Sequence, residues 1–118
     1  MEQAGGFECI GYCEIDKYAS AAYKAIYDTE GEIYYSDVTR IDTARMPDFD
    51  LFVGGFPCQP YSAATANPQG FADPRGALFF ELARIIKDKQ PAAFCLENVP
   101  ALIGHHAGET FRTILYTL

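Results

Sequence analysis

The sequence predicts an α/β fold in which a parallel sheet is flanked by helices. Three observations predict it. Short apolar segments rich in strand-forming residues alternate with longer segments whose apolar residues recur at helical spacing. Two of the strand segments, FECIGYCE at 7–14 and AAFCLE at 92–97, are apolar at successive positions, as suits strands covered on both faces. Finally, Glu14, Asp37, Cys58 and Glu97 all fall at expected carboxyl ends of strands, where parallel α/β sheets gather their ligand sites, so they are expected to face one rim.

The elements follow in order. The first strand is expected over 7–14, after which Asp16 caps a helix that carries Ala19, Ala22, Tyr23 and Ile26 at helical spacing and runs to about Tyr27. EIYYS at 32–36 is the second strand and ends at Asp37, where a loop begins. After Pro47, the apolar run Leu51 to Val53 is the third strand. It stops at Gly54-Gly55 and leads into FPCQP, which leaves Cys58 just past the strand end. Residues 60–76 are small, polar, Gly and Pro without periodicity, and are expected to be a functional loop that moves. Leu78, Phe79, Leu82, Ile85 and Ile86 repeat at helical spacing, and that helix ends near Gln90, before Pro91. The fourth strand, 92–97, ends in Glu97, and 108–118 has a helical pattern. Crossovers between the parallel strands should be right-handed.

Length and composition bound the function. A chain of 118 residues is expected to form one small domain with a single core and no second folding unit. No apolar run approaches the ~20 residues that span a bilayer, and no basic stretch leads into an apolar one at the N-terminus. A soluble cytoplasmic protein with no membrane partner is expected. The net charge of −7 is the wrong sign for a chain that grips a phosphate backbone over its whole surface. Cys9, Cys13, Cys58 and Cys95 form no C-x-x-C pair and have no His at ligand spacing, so neither a metal site nor a disulfide scaffold is expected. Cys9, Cys13 and Cys95 lie in apolar runs and are expected to be small core residues.

Cys58 has a different setting. Flanked by Pro57 and lying beside a loop that is expected to move, it reads either as an exposed, activated nucleophile or as a structural thiol that ends the strand. Glu97 ends an apolar strand, where burial would disfavour its charged form and suit it to donate a proton; the other reading is a solvated strand terminus. A carboxylate at a strand end, such as Glu14, can accept hydrogen bonds from both ribose hydroxyls; the other reading of Glu14 and Asp37 is that of ordinary solvated strand-end acids.

GGFPCQPYS at 54–62 and LENVP at 96–100 together resemble the two central catalytic motifs of DNA cytosine-5 methyltransferases. Their separation also resembles that family, as do GFADPRGALFFELARII at 70–86 and GYCEIDKYA at 11–19, so the resemblance covers nearly the whole chain. It implies a partial Rossmann-like S-adenosylmethionine-dependent methyltransferase fold. It also implies transfer of a methyl group from S-adenosylmethionine to carbon 5 of cytosine in double-stranded DNA, within DNA methylation and restriction-modification. By resemblance, Cys58 adds to carbon 6 of a flipped-out cytosine, and Glu97 hydrogen-bonds or protonates ring nitrogen 3. Pro57, Gln59, Ser62, Arg75 and Asn98 belong to the DNA side. Ser62 and Arg75 contact DNA or hold the closed loop, unless they are an ordinary solvated Ser and a surface Arg. Glu14 matches the ribose acid and Asp37 the acid that receives the adenine amino group; Ile15 and Val38 flank the adenine, and Leu78 is a further cofactor contact. Extruding a stacked base costs a few kcal/mol, which closure of the 59–75 loop would help offset.

The sequence departs from the family at both ends. Family members begin with a strand leading into a Phe-x-Gly-x-Gly-Gly loop; this chain is expected to begin inside the helix that follows, with Gly5-Gly6 as a helix stop. It lacks the later Gln-x-Arg-x-Arg motif, the remaining strands and the target-recognition domain. The absent first strand lies, in the family, between the strands that here end at Glu14 and Gly54. The isolated chain is therefore expected to be marginally stable, or to depend on a complementing methyltransferase segment or subunit. Two other readings stand beside this one. The first is a non-catalytic remnant or partner-binding subunit. The second is a thiol redox protein built on Cys58, which lacks a resolving cysteine nearby and leaves Glu97-Asn98-Val99 without a purpose.

Overall fold

The computed structural model describes residues 5–62 and 69–118, so positions 63–68 of the expected loop lie outside the described residues. The chain divides into two compact units, Met1–Asp42 and Thr43–Leu118, each taken by itself.

In the first unit, strands β1 (Gly11–Cys13) and β2 (Ile33–Tyr35) pair in parallel, with Gly11 opposite Ile33 and Cys13 opposite Tyr35. The strand expected over 7–14 is therefore much shorter, because β2 offers only this short ladder; Phe7 and Ile10 are exposed. A Cβ at Gly11 would lie 2.8 Å from the Ile33 carbonyl oxygen, so glycine permits the close approach of the two backbones. Between them runs α1 (Lys17–Ile26), started by the Asp16 carboxylate, which accepts from the amides of Tyr18 and Ala19 at 2.8 Å. The helix packs through Tyr23, whose ring lies 4.4 Å from that of Tyr12 on β1. Tyr12 in turn lies 5.2 Å from Tyr34 on β2.

In the second unit, β3 (Leu51–Gly55) and β4 (Ala93–Glu97) pair in parallel from Leu51 opposite Ala93 to Gly55 opposite Glu97. β3 continues through both glycines instead of stopping at Val53. The crossover is α2 (Pro74–Lys89), which starts earlier than its apolar periodicity predicts. Asp73 accepts from the Arg75 amide at 2.8 Å and Pro74 takes the first helical position, so 74–76 belong to the helix and not to the loop. The helix ends at Gln90, in the left-handed conformation, before Pro91. Phe79 is fully buried among Phe56, Leu82, Ala83, Ile85 and Ile86, which form the centre of this core; one such aromatic contributes about 2 kcal/mol. Beyond β4 come α3 (Ala101–Gly104), which the sequence reading does not anticipate, a tight turn over His105–Gly108, and α4 (Glu109–Thr117).

The strands thus form two parallel pairs, β1 with β2 in the first unit and β3 with β4 in the second. A Cβ at Gly54 would lie 3.8 Å from Leu82 of α2, so this face of the β3–β4 pair is the one α2 covers at Gly54, while Phe94 on the same face is 43% exposed. The alternate positions Val53, Gly55, Ala93, Cys95 and Glu97 are exposed, Val53 by 56%. This overturns the expectation of a fourth strand covered on both faces, and with it the core assignment of Cys95. Cys13 and Cys95 are exposed and Cys9 is half-buried. Apolar residues at successive positions make both faces of a strand apolar, but cover has to come from other elements. Among the described residues, no helix is long and apolar enough to cross a membrane.

Candidate functional site

In the second unit the site begins where β3 runs out. Phe56, Pro57 and Cys58 follow Gly55, and the Tyr61 amide donates to the Cys58 carbonyl at 2.9 Å, closing a tight turn that leaves Cys58 half-buried. Pro60 and Tyr61 are buried beneath it. The Tyr61 hydroxyl donates to the Gly76 carbonyl at 2.9 Å, and the Gly70 amide donates to the Pro60 carbonyl at 2.9 Å. The two sides of the loop that follows Cys58 are therefore tied together at its neck and fixed to the first turn of α2. A Cβ at Gly76 would run into the Gly70 carbonyl and lie 2.8 Å from the Tyr61 hydroxyl, so this neck requires glycine there. Burial pushes the Tyr61 phenol up to about 12, and the charge of Asp73 adds to the rise.

Glu97 ends β4 directly opposite Gly55. A Cβ at Gly55 would lie 3.3 Å from Glu97 Oε2 and 3.3 Å from its carbonyl oxygen, so the carboxylate lies over the glycine. The burial expected of Glu97 is not found: the residue is exposed, because its face of β4 is uncovered. Asn98 follows, with Nδ2 donating to the Phe56 carbonyl at 2.9 Å and Oδ1 accepting from the Val99 amide at 2.9 Å. Its side chain thus fastens the end of β4 to the segment leading into Cys58. Glycine at 55 and the Asn98 bond are contributions that spacing alone does not reveal.

Among the other expected DNA-side residues, Pro57 and Ser62 are half-buried and Gln59 is exposed. Arg75 is held by Asp73 through Nε at 3.1 Å and Nη2 at 2.7 Å, and these bonds keep the Asp73 carboxyl below the usual carboxylate range. Leu78 is half-buried on α2. Beside Asn98 opens a groove of about 480 Å³, walled by Phe94, Leu96, Ile103, Phe111 and Leu115, with Glu97 and Asn98 on its lining. A residue that the sequence reading does not single out, His105, is buried against Tyr61.

In the first unit, Glu14 follows β1. Its amide donates to the Tyr35 carbonyl at 3.1 Å, and its Oε1 accepts from the Asp16 amide at 2.8 Å. Asp37 follows β2 and caps a short turn over Val38–Arg40. Its Oδ1 accepts from the Thr39 hydroxyl at 2.8 Å and the Thr39 amide at 2.9 Å, which holds its carboxyl below the usual range. The two acids share one end of the β1–β2 ladder, and both charges act on Cys13. Its thiol is raised first by partial desolvation, then by Asp37, then by Glu14. Ile15 beside them is 76% exposed and Val38 is half-buried. Two carboxylates, which can accept from hydroxyl or amino donors, thus stand near an exposed aliphatic side chain.

The family model described as C-5 cytosine-specific DNA methylase matches residues 1–118. The Type II methyltransferase M1.ScrFI of Lactococcus lactis subsp. cremoris is 54% identical over 105 residues, covering 89% of this chain and 26% of that protein. The Type II methyltransferase M.SsoII of Shigella sonnei is 50% identical over 118 residues, covering 100% of this chain and 30% of that protein. The orphan methyltransferase M.SPRI of Bacillus phage SPR is 44% identical over 109 residues, covering 92% of this chain and 25% of that protein. The chain spans about a quarter to a third of the length of the curated relatives it matches.

Proposed function

The chain belongs to the C-5 cytosine-specific DNA methylases, and from that premise we propose that it carries the nucleophile, the acid and part of the cofactor site for methylation of carbon 5 of cytosine in double-stranded DNA. It works with a complementing methyltransferase segment that supplies the DNA-recognition surface. A net charge of −7 supports that division of labour, since this chain alone offers little to hold phosphates.

The Cys58 thiolate adds to carbon 6 of the cytosine, forming a carbon–sulfur bond and pushing the ring electrons toward carbon 5 and nitrogen 3. Glu97 donates a hydrogen bond or a proton to nitrogen 3, where the negative charge would otherwise build up. In the first unit Glu14 would hold the ribose of S-adenosylmethionine and Asp37 its adenine amino group, with Ile15 and Val38 alongside; the bound cofactor would supply an electrophilic methyl group for carbon 5, with S-adenosylhomocysteine as the leaving group. A base then removes the carbon 5 proton, the electron pair restores the ring, and Cys58 leaves as thiolate. Pro57, Gln59 and Ser62 line the approach to the nucleophile. Arg75, held by Asp73 at the first turn of α2, belongs to the DNA side of the site.

The observation that carries this reading is the register of β3 with β4. It sets Glu97 opposite Gly55, and the Asn98 amide ties that acid-bearing end to Phe56, two residues before Cys58. The test is incubation with duplex DNA carrying 5-fluorocytosine, S-adenosylmethionine and the complementing segments of a relative. Fluorine at carbon 5 blocks elimination, so a covalent adduct should map to Cys58 and vanish in Cys58→Ser. No adduct with all components present would sink the proposal.

A further inference from the structure

We infer that His105 is a positioning residue: it braces the neck of the Cys58 loop against the helical corner that follows Glu97. The inference rests on the reading of Cys58 as nucleophile.

His105 is only 8% exposed, and its ring touches both sides of the neck. It meets the Tyr61 ring edge to face, with centroids 5.5 Å apart and planes at 85°. A Cβ at Gly70 would lie 2.8 Å from His105 Cε1, so the imidazole rests directly on the Gly70 backbone. Tyr61 and Gly70 are the residues through which the neck is closed, by the Tyr61 amide to Cys58 and the Gly70 amide to Pro60. Any shift of this ring therefore reaches the turn that carries the thiol.

The ring is itself anchored. Nδ1 lies 2.7 Å from the Thr110 hydroxyl on α4. Nε2 is buried and has no hydrogen-bond partner among the described residues. Packing alone would be served better by an apolar side chain, since an unpartnered buried nitrogen costs stability. The imidazole is accounted for by the Thr110 bond, which fixes the rotation of the ring against Tyr61. The next two residues add to this. His106 (φ 48°) and Ala107 (φ 54°) both occupy the left-handed region, a costly choice for residues other than glycine that persists where the surroundings impose it. That strained corner turns the chain so that Thr110 comes round to His105, and the His106 ring stacks on the outside at 4.1 Å. Together with the bond from Asn98 to Phe56, this makes a second link between the segment after Glu97 and the segment around Cys58.

The experiment measures alkylation by iodoacetamide at Cys58, mapped by peptide mass and divided by the rate at exposed Cys95 in the same sample. It needs neither DNA nor S-adenosylmethionine, so its failure is distinct from failure of the covalent trap. Thr110→Val removes the bond while keeping the shape, and His105→Ala removes the brace. Both should raise the Cys58 to Cys95 ratio by about three-fold or more as the neck opens locally. Thr110→Ser, which keeps the hydroxyl, should restore the parent ratio. Should His105→Ala fail to fold, Thr110→Val and Thr110→Ser decide alone. A ratio unchanged in Thr110→Val, or a rise at Cys58 and Cys95 together, would overturn the inference; the second result would mark a general loosening.

Discussion

The Asn98 side-chain amide donates to the Phe56 carbonyl across 2.9 Å, which fastens the residue after Glu97 to the residue two before Cys58. Asn98→Asp keeps an acceptor for the Val99 amide but puts a carboxylate oxygen against the Phe56 carbonyl. A bond is lost and two acceptors are forced together, so the chain should lose about 1–3 kcal/mol of stability. Urea unfolding followed by circular dichroism should show a lower midpoint with an unchanged slope. A midpoint equal to that of the parent would mean that this link contributes nothing in solution.

Gly55 makes room for the Glu97 carboxylate, with Oε2 only 3.3 Å from where a Cβ would stand. Gly55→Ala should displace that carboxylate while changing stability by less than about 1 kcal/mol, because the position is exposed. If Glu97 assists attack on cytosine, covalent capture on 5-fluorocytosine DNA should slow by about ten-fold or more, since small misplacements of a reacting group are costly. Capture at the parent rate would separate Glu97 from the attack step.

Gly76 faces the Gly70 carbonyl and the Tyr61 hydroxyl without space for another carbon. Gly76→Ala should cost about 1–3 kcal/mol through overpacking, even though alanine is the better helix former. Thermal unfolding reads this directly, and a melting temperature at or above that of the parent would contradict the close approach.

Tyr61 gives a pH dependence whose sign is fixed. Burial raises its pKa from 10.0 to about 12 in the folded chain, so the folded state holds the proton more tightly than the unfolded one. Its contribution is complete below pH 10.0 and is lost as the pH rises toward about 12. Tyr61→Phe removes both this titration and the bond to Gly76, lowering stability near neutrality by about 1 kcal/mol. Chemical unfolding between pH 8 and roughly 12 should show a steeper alkaline decline for the parent than for Tyr61→Phe. Parallel declines would place the alkaline loss at other groups.

Much of the local structure was legible in the residues themselves. Asp16 announced α1, and the helical spacing from Leu78 to Ile86 announced α2, because caps and amphipathic periods act within a few residues of where they are written. The start of α2 was also written, in Asp73-Pro74, but the featureless stretch before it concealed the signal. The length of β1, the cover of β4 and the exposure of Cys13, Cys95 and Glu97 were not legible. A strand's ladder is limited by its partner, and its burial depends on what packs over it.

What the sequence by itself determined is the order of the four strands and of α1, α2 and α4, the family, and the placing of Cys58 and Glu97 just beyond or at strand ends. These follow from composition, period and short motifs. Only the tertiary structure decided that Glu97 stands over Gly55, that Asn98 holds Phe56, and that Tyr61, Gly70, Gly76 and His105 close the neck beneath Cys58. Each of those contacts joins residues distant along the chain, and their geometry depends on strand register and on space measured in tenths of an ångström, which no single segment specifies.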